Sequence, residues 1–302
     1  MLMLSWIPDW LRGTVASILA IVNLVFWCIP FYLLAIVKLL PIAPLRRACF
    51  RGLETLAGLW IDGNGAIARS QGVRYDVRGA DDLAYDHWYL IGTNHVSWVD
   101  VVALQYAFNH KIPFLRFFLK RQLIWIPLLG LAWWALELPF MRRHSPAQIE
   151  ANPQLRMADI ETTRRACAPF RARPTAIINF LEGTRFTPAK HAAQSSPYRH
   201  LLRPKVGGIA YAIDAIGEVM NTYLDVTLVY PPNASTFWDL MCGRVHKVII
   251  HVEKRTVPDE LMRGDYGADA RYRARFKDWI EDIWQEKDRR IEQLSKEFVS
   301  EK

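Results

Sequence analysis

The stretch "HWYLIGTNHVSWVDVVAL", residues 87–104, decides the fold. Its first half is a short apolar run ending in a small-residue turn, which reads as a buried strand. Residues 98–109 read as a helix, and between the two stand Asn94, His95 and Asp100. In a continuous helix His95 and Asp100 would point about 140° apart. They meet only if His95 lies in the loop and Asp100 in the first helical turn. Ser97 is placed to cap that turn, and a carboxylate there suits the positive end of the helix dipole. Asp100 can then accept the proton of one imidazole nitrogen and leave the other free as a general base. The same pair serves equally as a structural clip at a strand–helix junction, and these residues alone leave both readings open.

Strand-like and helical runs alternate on either side of this unit. "VRYDVRG" (73–79), "TAIINFLEG" (175–183), "YLDVTLVYP" (223–231) and "VHKVIIHVE" (245–253) read as strands. Residues 45–70 and "GGIAYAIDAI" (207–216) read as helices. The closing run 271–298 sets Phe276, Ile280, Ile283, Trp284 and Ile291 on one face of a long amphipathic helix. Such alternation predicts one α/β domain.

The chain has 302 residues, is 51% hydrophobic, and carries a formal net charge of +8 with 12 Trp. Its mean hydropathy of +0.02 and pI near 9.4 suit a globular domain touching a bilayer, since Trp and basic side chains favour the headgroup layer. A basic protein with aromatics in its core has the same composition. Zinc-finger and RNA-recognition spacings are absent from the sequence, so nucleic acid is not the expected partner. Cys28, Cys49, Cys167 and Cys242 show no metal or redox spacing and read as packing residues in a reducing compartment.

Residues 15–37 hold no charge and are long enough, as helix, to cross a hydrocarbon core of about 30 Å. Pro30 and Asn23 leave two arrangements open, a tilted span or a bent helix pair dipping into one leaflet. Lys38, Arg46, Arg47 and Arg51 follow the run, against Arg12 before it, which places the remaining chain in the cytoplasm. The expected division is a membrane anchor at 1–44 and a catalytic domain at 45–302. In and just before 112–140, Lys111, Arg116, Lys120 and Arg121 interleave with Phe, Trp and Leu, the pattern of a surface in the headgroup layer. That basic surface could also receive an acidic carrier protein.

Three more polar outposts end apolar runs. "FLEGTRF" (180–186) breaks a strand into Gly183, Thr184 and Arg185, offering amides and a guanidinium suited to phosphate, with Glu182 beside them. "LPFMRR" (138–143) stops at Arg142 and Arg143, and Lys205 precedes a glycine-opened helix start. Taken in order, this set resembles the glycerolipid acyltransferases, the 1-acylglycerol-3-phosphate acyltransferases and their lysophospholipid-acylating relatives. "NHVSWVD" is similar to the family's Asn-His-x4-Asp block and "FLEGTR" to its Glu-Gly-Thr-Arg block. "LPFMRR" and "VTLVYP" look like the second and fourth blocks, with Arg142 standing where most members carry an acid. The run "EGTRFTPAKH" and the later "HLLRPK" most resemble the lysocardiolipin-acyltransferase-like branch.

The resemblance implies a mixed central sheet flanked by helices, with an N-terminal membrane helix. It implies His95 as catalytic base and Asp100 as its orienting partner, with Arg143, Glu182, Gly183 and Arg185 lining the acceptor's phosphate pocket. Asn94, Thr184 and Lys205 complete the expected substrate-binding set. The implied reaction is direct transfer, with neither metal nor cofactor, from acyl-CoA or acyl carrier protein to lysophosphatidic acid at the cytoplasmic face of the inner membrane. Acylation of another lysophospholipid or of lysocardiolipin is the alternative. Hydrolysis of a lipid ester and a non-catalytic membrane adaptor are the more distant rivals, and neither a Gly-x-Ser-x-Gly elbow nor a ligand cluster supports the former.

Overall fold

The computed structural model describes residues 7–141, 152, 154–232, 236–262, 264 and 266–300. Two long helices open the chain, α1 (Asp9–Val37) and α2 (Ala43–Ser70). Strands β1 (Arg74–Arg78) and β2 (Tyr89–Thr93) follow, then α3 (Val99–Phe108). The middle of the chain holds β3 (Leu115–Phe117), β4 (Leu119–Lys120), α4 (Leu129–Ala135), β5 (Phe140–Met141) and α5 (Gln154–Cys167). The last part runs β6 (Ala176–Phe180), α6 (Pro188–Ala193), α7 (Gly207–Ile216), β7 (Thr222–Val229), α8 (Phe237–Met241), β8 (Lys247–Thr256), α9 (Asp259–Met262), α10 (Ala270–Ser295) and α11 (Glu297–Ser300).

Six strands form one sheet in the order β1-β8-β7-β2-β6-β3, while β4 and β5 pair separately. Every pairing in the large sheet is parallel except β7 with β8. The mixed sheet expected from the sequence is therefore present. Its central strands are buried throughout because helices cover both faces, which is why they read as unbroken apolar runs. Alternate residues serve opposite layers. Leu90, Ile177 and Tyr223 pack toward α7 and α10, with Ile213, Phe276 and Trp284. Ile91, Ile178 and Leu224 pack toward α3, with Ala103, Leu104 and Phe108. All five residues predicted for the buried face of the last long helix lie in the core.

α1 and α2 pack together. The Asn23 amide, polar in an apolar run, donates to the Trp60 carbonyl and to Asn64 Oδ1, both at 3.0 Å. Gly63 admits it, since a Cβ there would sit 2.3 Å from Asn23 Oδ1. α1 continues through Pro30 and meets the globular domain at both ends. At one end Arg12 is buried against Gly243, and Gly13 lies against Cys242 and Trp238. At the other, Lys38 Nζ donates to the Ala135 carbonyl at 2.7 Å and Glu137 Oε1 at 2.8 Å. Between these anchor points Ile18, Val22, Phe26, Ile29, Leu33 and Ile36 stay exposed.

One expectation needs correction. Arg116 is not in a headgroup layer but buried in β3, where it donates to Glu54 Oε1 at 2.6 Å and to the Phe114 carbonyl at 3.1 Å. Its strand continues the central sheet, so an alternating charge in an apolar run reads here as a paired interior cation. Trp125, Leu131 and Trp134 of the same segment remain exposed.

Candidate active site

β2 and β6 are parallel neighbours, with Thr93 in register with Phe180, so the residues after each strand emerge on the same sheet edge. His95 comes two residues after β2, and Glu182 two after β6. Asp100 lies in the first turn of α3, the arrangement that contact with His95 requires. His95 Nδ1 is 2.7 Å from Asp100 Oδ2. A carboxylate only accepts, so Nδ1 carries the proton, and in the neutral imidazole Nε2 is the nitrogen that presents a lone pair. Oδ2 also accepts the Val96 amide at 2.7 Å and the Ser97 amide at 3.0 Å. Ser97 Oγ accepts the Val99 amide at 3.0 Å, but it stands one residue before the N-cap, Trp98, so the expected side-chain cap of α3 is not formed.

Tyr230 completes the set. Its hydroxyl donates to Asp100 Oδ1 at 2.5 Å, and both side chains are buried. Burial and the neighbouring Asp100 push the Tyr230 phenol well above its usual range, so it stays a donor. Sequence reasoning missed this residue; its only signal was a polar atom beside Pro231 at the end of an apolar strand.

Glu182 organises the backbone around the imidazole. Its Oε1 accepts the His95 amide at 2.8 Å and its Oε2 accepts the Leu202 amide at 3.1 Å. The carboxyl is 1% exposed, and burial pushes it up to about 7 against the pull of those two amides. It thus braces the loop from within. Asn94 plays a similar part, its side chain exchanging two 2.9 Å hydrogen bonds with the Leu228 backbone of β7. Phe180 stacks on the His95 ring, with centroids 4.0 Å apart.

The cationic side of the site lies next to this pair. The Phe186 amide donates to the His95 carbonyl at 2.7 Å, which brings Arg185 beside the histidine loop. The Arg185 guanidinium sits 5.4 Å over the exposed Trp98 ring. Lys190, which the sequence reading did not single out, donates to Thr184 Oγ1 at 2.8 Å and to the Arg185 carbonyl at 3.0 Å. Lys205 lies across Gly183, whose φ is +65° and whose missing Cβ would sit 2.8 Å from Lys205 Cδ. The Gly183 amide donates to the Phe180 carbonyl at 2.9 Å, so this glycine turn does not offer that N–H to a substrate. Arg143 lies outside the described residues. A cavity of about 190 Å³ lined by Glu54, Phe108 and Leu115 opens elsewhere, at the edge where β6 begins.

A model of the acyltransferase family matches residues 74–231, more than half of the chain. The chain belongs to the acyltransferase family. The matched region holds His95, Asp100, Glu182, Arg185, Lys205 and Tyr230. Among curated proteins, this family member is 22% identical over 221 residues to 1-acyl-sn-glycerol-3-phosphate acyltransferase epsilon of Mus musculus, covering 65% of the chain and 55% of the relative. It is 28% identical over 178 residues to the gamma form of the same species, covering 56% and 43%. The acyltransferase chain therefore spans about half the length of the curated relatives it matches. The solved 1-acyl-sn-glycerophosphate (LPA) acyltransferase PlsC from Thermotoga maritima shares the fold, with TM-score 0.56 and 16% identity over 94% of this chain and 95% of that one.

Proposed function

We propose that this protein transfers a fatty acyl group from an acyl thioester to the sn-2 hydroxyl of 1-acylglycerol-3-phosphate, forming phosphatidic acid. The observation that carries the reading is the His95–Asp100 pair at 2.7 Å, with Lys190 and Lys205 held against the adjoining turn that carries Arg185. His95 Nε2 takes the acceptor's hydroxyl proton as its oxygen attacks the thioester carbonyl. Asp100 stabilises the imidazolium that forms. The tetrahedral intermediate collapses, the C–S bond breaks, and the imidazolium returns its proton to the departing thiolate. The substrate supplies its own nucleophile, so the enzyme needs neither a serine nor a cysteine at this position. Arg185 with Lys190 and Lys205 would hold the acceptor's phosphate, a group that binds planar guanidinium and ammonium donors well.

The acceptor reaches the site from a lipid surface, and α1 supports an anchoring role. It is long and apolar enough to cross a membrane. Its 29 residues extend about 43 Å, yet Arg12 at one end and Lys38 at the other both touch the globular domain. A helix tied down at both ends fits lying within one leaflet, with Trp125 and Trp134 of the α4 region at the same interface, on the cytoplasmic side of the inner membrane. A tag on the N-terminus would then be protected or exposed together with the C-terminus in sealed vesicles; opposite sidedness would establish a full span instead.

Incubating the vesicle-bound protein with a radiolabelled acyl thioester and a panel of lysolipids tests the reaction. Labelled phosphatidic acid from 1-acylglycerol-3-phosphate is the expected product. Exclusive labelling of another lysophospholipid or lysocardiolipin would move the protein to the remodelling branch, and release of free fatty acid alone would mark a hydrolase. Parallel use of coenzyme A and carrier-protein thioesters identifies the donor. Charge reversal at Lys120 and Arg121 is expected to affect the carrier-protein arm alone.

A further inference from the structure

Residues 196–205 form no helix or strand, yet they carry two groups that face the site. On the inner side, the Leu202 amide donates to Glu182 Oε2 at 3.1 Å, and Glu182 Oε1 receives the His95 amide at 2.8 Å. The Lys205 amide donates to the Leu181 carbonyl at 2.6 Å, and the lysine stem crosses Gly183. On the outer side, the segment is held by α10. The buried Trp284 donates its indole N–H to the Leu202 carbonyl at 2.9 Å. Asp288 accepts the Arg199 amide at 2.9 Å and the His200 amide at 2.7 Å. Glu292, one turn on, takes His200 Nε2 at 2.7 Å and Arg199 Nη1 at 3.1 Å.

We propose that Trp284 and Asp288 are positioning residues for acyl transfer: through Leu202 and Glu182 they fix the backbone of His95 and set the reach of Lys205. The inference rests on His95 acting as the base. α10 lies outside the residues that the family model matches, so the catalytic blocks here depend on a contact that those blocks do not contain. The geometry explains why an irregular segment can keep two groups in register. An amide, a carbonyl and an indole tie Leu202 from both sides, while Asp288 fixes two consecutive amides a few residues earlier.

The groups acting on Glu182 define a readout that a purely structural role would not move. Burial raises it, the His95 and Leu202 amides lower it, Asp100 in α3 raises it and Lys287 in α10 lowers it. A Leu202 amide that drifts away removes one lowering influence, so Glu182 ionises at higher pH.

The test uses the full-length protein on lipid vesicles, with Trp284→Phe, Glu182→Gln and the double variant, each checked for folding by its melting temperature. Trp284→Phe keeps an aromatic ring, though a smaller one, and deletes the N–H. It is expected to lower kcat about tenfold and to move the acid limb of the kcat/KM profile to higher pH. On the Glu182→Gln background the same substitution is expected to change the rate by less than about twofold and to leave the limb in place. Asp288→Asn, which keeps one acceptor and loses the other, is expected to raise the acceptor KM. A folded Trp284→Phe protein with wild-type kcat and pH profile overturns the proposal, as does an equal loss in both backgrounds. Should Trp284→Phe fail to fold, Asp288→Asn decides, and an unchanged acceptor KM overturns it. A His95→Ala control that retained full rate would sink the catalytic reading itself, which is a separate failure.

Discussion

Replacing Glu182 by Gln isolates the strain of a buried carboxylate. Glu182 titrates at about 7 in the folded protein against an ordinary 4.5, and burial is the main cause. At about 1.4 kcal/mol per pH unit, that difference corresponds to about 3–4 kcal/mol. The sign follows from the raised value. Stability contributed by the neutral acid is complete below pH 4.5, falls as the pH rises through 7, and is gone above it. Gln does not titrate, but its single oxygen can accept only one of the two amides from His95 and Leu202, which costs about 1–3 kcal/mol. Below pH 5 the variant is therefore expected to be the less stable protein. Near pH 8 the wild type has lost about 3–4 kcal/mol that the variant keeps, so the two curves converge or cross. Denaturant melts followed by tryptophan fluorescence in one detergent, from pH 4.5 to 8.5, measure the difference directly, because every other group titrates alike in both proteins. A constant gap across that range would refute the assignment of burial as the dominant influence on Glu182.

Tyr230→Phe removes a donor to a buried carboxylate, worth about 1.5 kcal/mol at the low end for a bond to a charged group, and is expected to lower kcat about tenfold with acceptor KM unchanged. Steady-state kinetics check it, and an unchanged kcat would remove Tyr230 from the site. Gly183→Ala places a Cβ at φ +65° and 2.8 Å from Lys205 Cδ; about 1–2 kcal/mol of stability and a raised acceptor KM are expected, read from melts and kinetics. Asp225→Ala strands the fully buried Lys287 ammonium, which lies 2.5 Å from the carboxylate, and is expected to cost about 3–5 kcal/mol. Adding Lys287→Met is expected to restore most of that loss in the same melts.

The local geometry of His95 and Asp100 was legible because a strand, a turn and a helix start leave one way for two side chains five residues apart to meet. The glycine turn after β6 was legible for the same reason, as a sheet edge in an α/β domain gathers polar groups. Glu182 was read as lining the acceptor's phosphate pocket, but it faces inward to two amides, a choice set by chain neighbours more than eighty residues away for His95 and twenty for Leu202. Tyr230 escaped notice and Trp284 was read only as a core residue, because an aromatic at the end of a strand or on a core face carries no local mark of its hydrogen-bond partner. Arg116 was misplaced because interleaved charge and apolar residues describe a headgroup surface and a paired interior cation equally well. The two ends of α1 touch residues far along the chain, so its hydropathy could announce a helix long and apolar enough to cross a membrane without revealing how it lies.

The most direct measurement compares His95→Ala with wild-type protein on the same vesicles, using a saturating acyl thioester and 1-acylglycerol-3-phosphate. The imidazole is predicted to contribute about 10²- to 10⁴-fold to turnover, with vesicle binding and melting temperature unaltered by its loss. Turnover at the wild-type rate in the alanine protein would contradict the account at its root.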